Sequence, residues 1–146
     1  MSARAVTRRS AAFASLAALA LLAQAASADD PTTDPTDRQT LERSLFLCRW
    51  KTTHDVPDNA PNPAVCRSDT VSTDVAMLQL KQWWTFWARL NPDAALRANQ
   101  QFSTDYAAFQ ERLKLKPEIA QQLLPPGLKL QKDDWRLRLV RELSRR

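Results

Sequence analysis

The stretch that decides the fold is residues 70–113, TVSTDVAMLQLKQWWTFWARLNPDAALRANQQFSTDYAAFQERL. Apolar side chains recur there at spacings of three and four residues on both sides of Asn91-Pro92, which is typical of amphipathic helices. Asn91 is predicted to cap the second helix and Pro92 to occupy its first position, so the stretch should form an antiparallel helical pair. The core-facing residues expected on the second helix are Ala95, Ala98, Phe102, Tyr106, Phe109 and Leu113.

The helix before that turn is expected to run from about Thr70 to Leu90, with Ser68 or Asp69 as its cap. Its apolar side chains cover more than half of the circumference, which predicts a central helix with several neighbours. Aromatic residues at helical spacing usually form a core, but such a density can also contact a partner's side chains. The aromatic candidates for partner binding are Trp83, Trp84, Phe86 and Trp87.

The composition excludes several classes of function. The 146 residues contain one glycine, Gly127, and one histidine, His54. Glycine-rich phosphate loops, nucleophile elbows and histidine-based zinc motifs are therefore absent from the sequence. No set of catalytic carboxylates stands out, because none of the glutamates lies within an apolar run. We expect no cofactor and no bound metal.

Three further segments complete the predicted architecture. Thr36 and Gln39 form a capping box ahead of a helix over about residues 37–50. Residues 119–124 predict a short helix that ends at Pro125-Pro126-Gly127. Residues 128–143 fit either a hairpin or a helix, and we favour the helix because a lone hairpin would be poorly supported. The expected fold is an all-α bundle of four to five helices.

The two cysteines, Cys48 and Cys66, are predicted to form a disulfide. The bridge would close a loop of 19 residues, a constraint worth roughly 3 kcal/mol. The alternative is a pair of free or metal-bound thiols. The loop contains His54 and Asp55, a pair that is either a general base or metal site, or a solvated histidine beside an unrelated acid.

The N-terminus predicts export. Residues 1–28 combine three arginines, an apolar run and a small-residue cleavage site before Asp29, the order of a signal peptide. Residues 29–36 are then a polar linker, and residues 37–146 a single helical domain. A transmembrane anchor is the alternative, but Gln24 interrupts the apolar run early. The expected location is the periplasm or the medium, through either the general or the twin-arginine route.

Removal of residues 1–28 changes the charge argument. The chain has 21 basic and 16 acidic residues, and three of the arginines lie in the first 28 positions, so the remainder carries a net charge of +2. The rest of the chain has an acidic front half and a basic back half. This balance, together with export, argues against nucleic acid as a partner.

The basic C-terminal segment is a second candidate binding region. Trp135 lies in an apolar stripe that is surrounded by arginines, a pattern of helices that bind anionic surfaces or partner helices. The alternative is a docked terminal helix with solvated arginines. The arginines selected as candidates are Arg136, Arg138 and Arg141.

These patterns favour a non-catalytic exported protein that binds another protein in the cell envelope. One alternative is a protein that binds anionic membrane surfaces through its C-terminal helix. The other is a small helical enzyme with a site near His54. The sequence does not determine an oligomeric state.

Overall fold

The computed structural model describes residues 34–145, and the predicted signal peptide lies outside this range. Within the described range there are helices and no strands. The elements are α1 (Pro35–Thr52), α2 (Ala64–Arg67), α3 (Thr73–Leu90), α4 (Pro92–Leu115), a 3₁₀ helix (Pro117–Leu123) and α5 (Trp135–Ser144). The prediction of an all-α fold is confirmed, with six helices in place of four to five.

Helix α1 is the centre of the bundle. It contacts α2, α3, α4, α5 and the 3₁₀ helix. The cap of this helix is Asp34, whose side chain accepts hydrogen bonds from the amides of Thr36 and Asp37, so the predicted capping box at Thr36 is wrong by two residues. The buried residues of α1 are Leu41, Glu42, Ser44, Leu45, Phe46, Leu47, Cys48 and Trp50.

Helix α3 lies at the periphery, which corrects the prediction that it would be central. Only Ala76 and Trp83 of its 18 residues are buried. It packs against α1, α2 and α4 along one side, but no other described element covers the opposite side. The wide arc of apolar side chains on α3 therefore did not predict how much of the helix is buried. Its cap is also different, since Ser72 accepts a hydrogen bond from the amide of Val75 at 3.3 Å.

The antiparallel pair of α3 and α4 is confirmed. Asn91 caps α4 by accepting a hydrogen bond from the amide of Ala94 at 3.2 Å, and Pro92 is the first helical residue. Phe46 of α1 packs against the buried rings of α4, with centroid distances of 5.3 to 5.5 Å. The buried residues of α4 are four of the six that its periodicity predicted: Phe102, Tyr106, Phe109 and Leu113.

The C-terminal segment forms a helix and not a hairpin. Gly127 has a φ of +79°, a left-handed conformation that glycine adopts without strain, and it lies in the turn after the 3₁₀ helix. Asp134 then caps α5 through the amide of Arg136 at 2.8 Å. Because Trp135, Leu139 and Leu143 are buried, α5 closes the bundle against α1 and the 3₁₀ helix.

The predicted disulfide is confirmed at the level of distance, since Cys48 and Cys66 are paired with a Cα–Cα distance of 5.4 Å. It ties α1 to α2. Within residues 34–145, none of the helices combines the length and the apolar character needed to cross a membrane.

Candidate functional site

Arg136, a predicted partner-binding residue, is completely buried, with 0% of its surface exposed. The guanidinium pairs with Asp134 through two hydrogen bonds of 3.0 Å. It also donates to the backbone carbonyls of Val65, Ser68 and Asp69 at 2.9 to 3.0 Å. All five N–H groups of the side chain are therefore used inside the protein. This arginine holds the segment after α2 against the start of α5.

Trp135 also holds the segment that follows α2. Its ring is buried, and its indole N–H donates to the carbonyl of Val71 at 2.8 Å. Asp69 is held from the other side, because its side chain accepts a hydrogen bond from the amide of Lys129 at 3.0 Å. Trp135 and Arg136 thus act as an internal strap, which corrects their assignment to a partner surface.

The remaining candidates on α5 are exposed. Arg138 and Arg141 both face solvent, whereas the apolar face of the helix packs inward. A surface helix that binds a membrane inserts its apolar face between lipids. In α5 this face is already used in the core, so contact with an anionic surface would depend on the exposed arginines alone.

His54 lies two residues after the end of α1 and pairs with an acid that the sequence did not indicate. Its Nε2 is 3.3 Å from the Oδ2 of Asp105 on α4, and its Nδ1 is 2.9 Å from the carbonyl oxygen of Trp50. The ring also stacks on Trp50, with centroids 4.2 Å apart. Asp55, the neighbour suggested by the sequence, is exposed.

This arrangement favours a structural role for His54. Both ring nitrogens already have hydrogen-bonding neighbours within the protein, because the Thr53 hydroxyl also lies 3.0 Å from Nδ1. Asp105 is also engaged, because it accepts hydrogen bonds from the indole N–H of Trp50 at 3.0 Å and from the side-chain amide Nε2 of Gln101 at 2.9 Å. The described residues hold no cluster of three or more His, Cys, Asp or Glu side chains suited to a metal ion.

The aromatic candidates on α3 separate into two groups. Trp83 is 0% exposed, so this ring belongs to the core and not to a binding surface. Trp84 and Trp87 are half-buried and pack against the core. Phe86 is half-buried too, but it is not one of the residues that pack against the core.

Phe86 is part of an apolar band on the outer side of α3. At 100° per residue the four members fall within about 120° of arc. Val75 is 40% exposed, and Leu78 and Leu90 are each 53% exposed. Gln79, Gln82 and Arg89 are the polar residues within the arc. We call this band the outer stripe: Val75, Leu78, Phe86 and Leu90.

The opposite side of α3 borders a cleft of about 460 Å³, which we call the inner cleft. It lies among α1, α3 and α4. Phe102 and Tyr106 form its floor, and burial together with the Glu42 carboxylate raises the pKa of Tyr106. Arg43 lies over the Tyr106 ring, 5.4 Å from its centroid. The other lining residues are Thr40, Met77, Leu80, Lys81, Trp84, Asn99, Ser103, Ala107 and Gln110.

A second cleft, of about 390 Å³, lies beside the disulfide. Three cations line it, but each is engaged with a neighbour. Arg49 donates to the Gln122 side chain, Lys51 donates to the Asn62 side chain at 3.1 Å, and Arg67 donates to the Asn62 carbonyl at 3.0 Å. Burial lowers the pKa of Lys51, whose ammonium also lies over the Trp83 ring. The three cations of this cleft therefore have structural roles, and we do not treat the cleft as a candidate site.

Comparison with protein-family models, with curated proteins and with solved structures gave no significant match.

Proposed function

We propose that the protein is an exported, non-catalytic binding protein that uses the outer stripe of α3 to contact another protein. The observation that carries the proposal is the alignment of exposed apolar residues along a helix whose opposite side already packs on the core. Single exposed leucines are common on protein surfaces, but an aligned set is typical of helix-mediated contacts. Export rests on the sequence of residues 1–28.

The charges beside the outer stripe suit a helical partner. Asp74 lies at the start of α3 and Arg89 near its end, while Gln79 and Gln82 occupy the middle. The Gln79 oxygen already accepts a hydrogen bond from the amide of Val65 at 3.3 Å, which leaves Gln82 for a partner. An apolar strip with this amide near its centre and opposite charges at its ends can select both the register and the direction of a partner helix.

Affinity capture with matched variants tests the proposal. Leu78→Glu places a charge in the outer stripe, at a position exposed enough to leave the fold intact. Leu115→Glu is the control, because Leu115 is 84% exposed at the end of α4, outside the stripe. The unmodified protein and the control should retain the same envelope proteins, identified by mass spectrometry. Leu78→Glu should lose them.

Equal capture by all three proteins would contradict the proposal, because the stripe would then have no part in binding. Loss of capture by both variants would contradict it as well, since the effect would not be confined to the stripe.

A further inference from the structure

The inner cleft is a second candidate binding site, separate from the outer stripe. The two features lie on opposite sides of α3, about 170° apart at 100° per residue. No aspartate or glutamate is among the described residues that line the cleft, although both Arg43 and Lys81 do so. The cleft thus combines a basic rim with a floor of aromatic rings, of which Tyr106 also interacts with the buried Glu42 carboxylate.

We propose that the inner cleft binds the anion of a medium-chain fatty acid. The carboxylate lies toward Arg43 and Lys81, where two cations from different helices can share its charge. The Ser103 hydroxyl and the Gln110 amide supply further donors at the rim, whereas the Thr40 hydroxyl already donates to the carbonyl of Thr36 at 3.0 Å. The charge of the rim selects an anion and rejects a cationic amphiphile.

The apolar part of the cleft accepts the chain. Met77, Leu80 and Trp84 follow one another along α3, and each is half-buried against the core. Their remaining exposed surface is apolar, so covering it with a hydrocarbon chain is favourable.

The length of the cleft sets the class of chain. On α4 it extends from Asn99 to Gln110, roughly 16 Å at a rise of about 1.5 Å per residue. An extended chain of about ten carbons spans about 12 Å, at about 1.25 Å per carbon, and fits within this length together with its carboxylate. Leu96, which is 58% exposed, lies one turn before Asn99 on the same face and extends the apolar surface. The volume of about 460 Å³ falls within the usual range of small-molecule sites.

Titration calorimetry of the purified chain with decanoate tests this inference. Decyltrimethylammonium is the probe with the same chain length and the opposite charge. A peptide with apolar C-terminal residues tests whether the cleft prefers the C-terminal carboxylate of a protein. Decanoate should bind with one-to-one stoichiometry and more tightly than either probe. Each added methylene that the cleft buries should tighten binding roughly threefold to fourfold, from octanoate to decanoate.

Two pairs of variants test the position of the site. Lys81→Gln should weaken decanoate binding by about fivefold to tenfold, whereas Lys132→Gln, at an exposed lysine that does not line the cleft, should leave it unchanged. Ala107→Trp should block the cleft and abolish binding. Thr104→Trp places the same ring on α4 outside the cleft and should not affect binding. Circular dichroism in the near ultraviolet verifies that each variant is folded.

Absence of decanoate binding would overturn the inference. So would equal or tighter binding of decyltrimethylammonium or of the peptide, or an affinity that Lys81→Gln and Ala107→Trp leave unchanged. None of these results bears on the outer stripe, so failure here is distinct from failure of the proposed function.

Discussion

At the scale of single residues, Arg136 shows how completely a buried charge is compensated in this protein. Its two bonds to Asp134 neutralise the charge, and its three bonds to backbone carbonyls satisfy the end of α2 and the residues after it. Removal of one partner from a buried pair leaves the other without compensation, and this is costly.

We predict that Arg136→Met lowers the free energy of unfolding by about 3 to 5 kcal/mol, because Asp134 and three carbonyls lose their donor. Arg136→Lys should recover only part of this loss, since an ammonium cannot reproduce the planar fork. The control is Arg138→Met on the exposed side of α5, which should change stability by less than about 0.5 kcal/mol. Chemical denaturation measures all three, and equal effects at the two positions would refute the internal strap.

The pair of His54 and Asp105 gives a second prediction at this scale. Each of His54→Ala and Asp105→Asn should destabilise the protein by about 1 kcal/mol, and the double variant should cost less than the sum of the two. A double-mutant cycle in denaturant measures this coupling. Strictly additive effects would show that the two side chains do not interact in solution.

At the scale of elements, the periodicity of the sequence predicted the helices well. The turn at Asn91-Pro92, the core face of α4 and the stop at Gly127 all follow from local chemistry, because caps, prolines and spacing act within a few residues. The caps of α1 and α3 lie a few residues from the predicted positions, since several polar residues there could accept the same amide bonds.

The position of α3 in the bundle could not be predicted in this way. Its apolar arc is wide, but α1 has a longer run of buried residues and takes the centre. Which helix is enclosed depends on the packing of all the elements together, and the sequence of one helix alone does not determine it. The carbonyl partners of Arg136 and the acid beside His54 were missed for the same reason, since Val65 and Asp105 are distant in the chain from the residues that they contact.

A matched pair of leucines tests this assignment. We predict that Leu45→Ala on α1 costs about 3 to 5 kcal/mol, because Leu45 is 0% exposed, whereas Leu78→Ala on α3 costs less than about 1 kcal/mol. Thermal and chemical unfolding provide the comparison. Similar losses at both positions would mean that the outer stripe is covered in the folded protein.

At the scale of the whole molecule, the disulfide and the internal strap hold the same segment. Residues 53–72 connect α1 to α3, with α2 inside the segment, and they are fixed by the bridge to Cys48 and by contacts from α5. The segment therefore presents α3 at a defined position without a long regular element of its own.

Because these restraints are independent, loss of the disulfide should weaken the fold without abolishing it. We predict that Cys48→Ser with Cys66→Ser lowers the free energy of unfolding by roughly 3 kcal/mol, the chain-entropy value for a loop of 19 residues. Far-ultraviolet circular dichroism should still show a helical protein. A variant that is unfolded in buffer would contradict the role given to Arg136 and Trp135.

The central claim is that the outer stripe of α3 contacts another protein, and site-specific photocrosslinking in the producing cell tests it most directly. A photoreactive amino acid at position 78 should give discrete adducts with one or a few other proteins, and the same group at position 115 should not. The claim would be contradicted by identical adducts at both positions, by no adduct at position 78, or by adducts that contain only two copies of this chain.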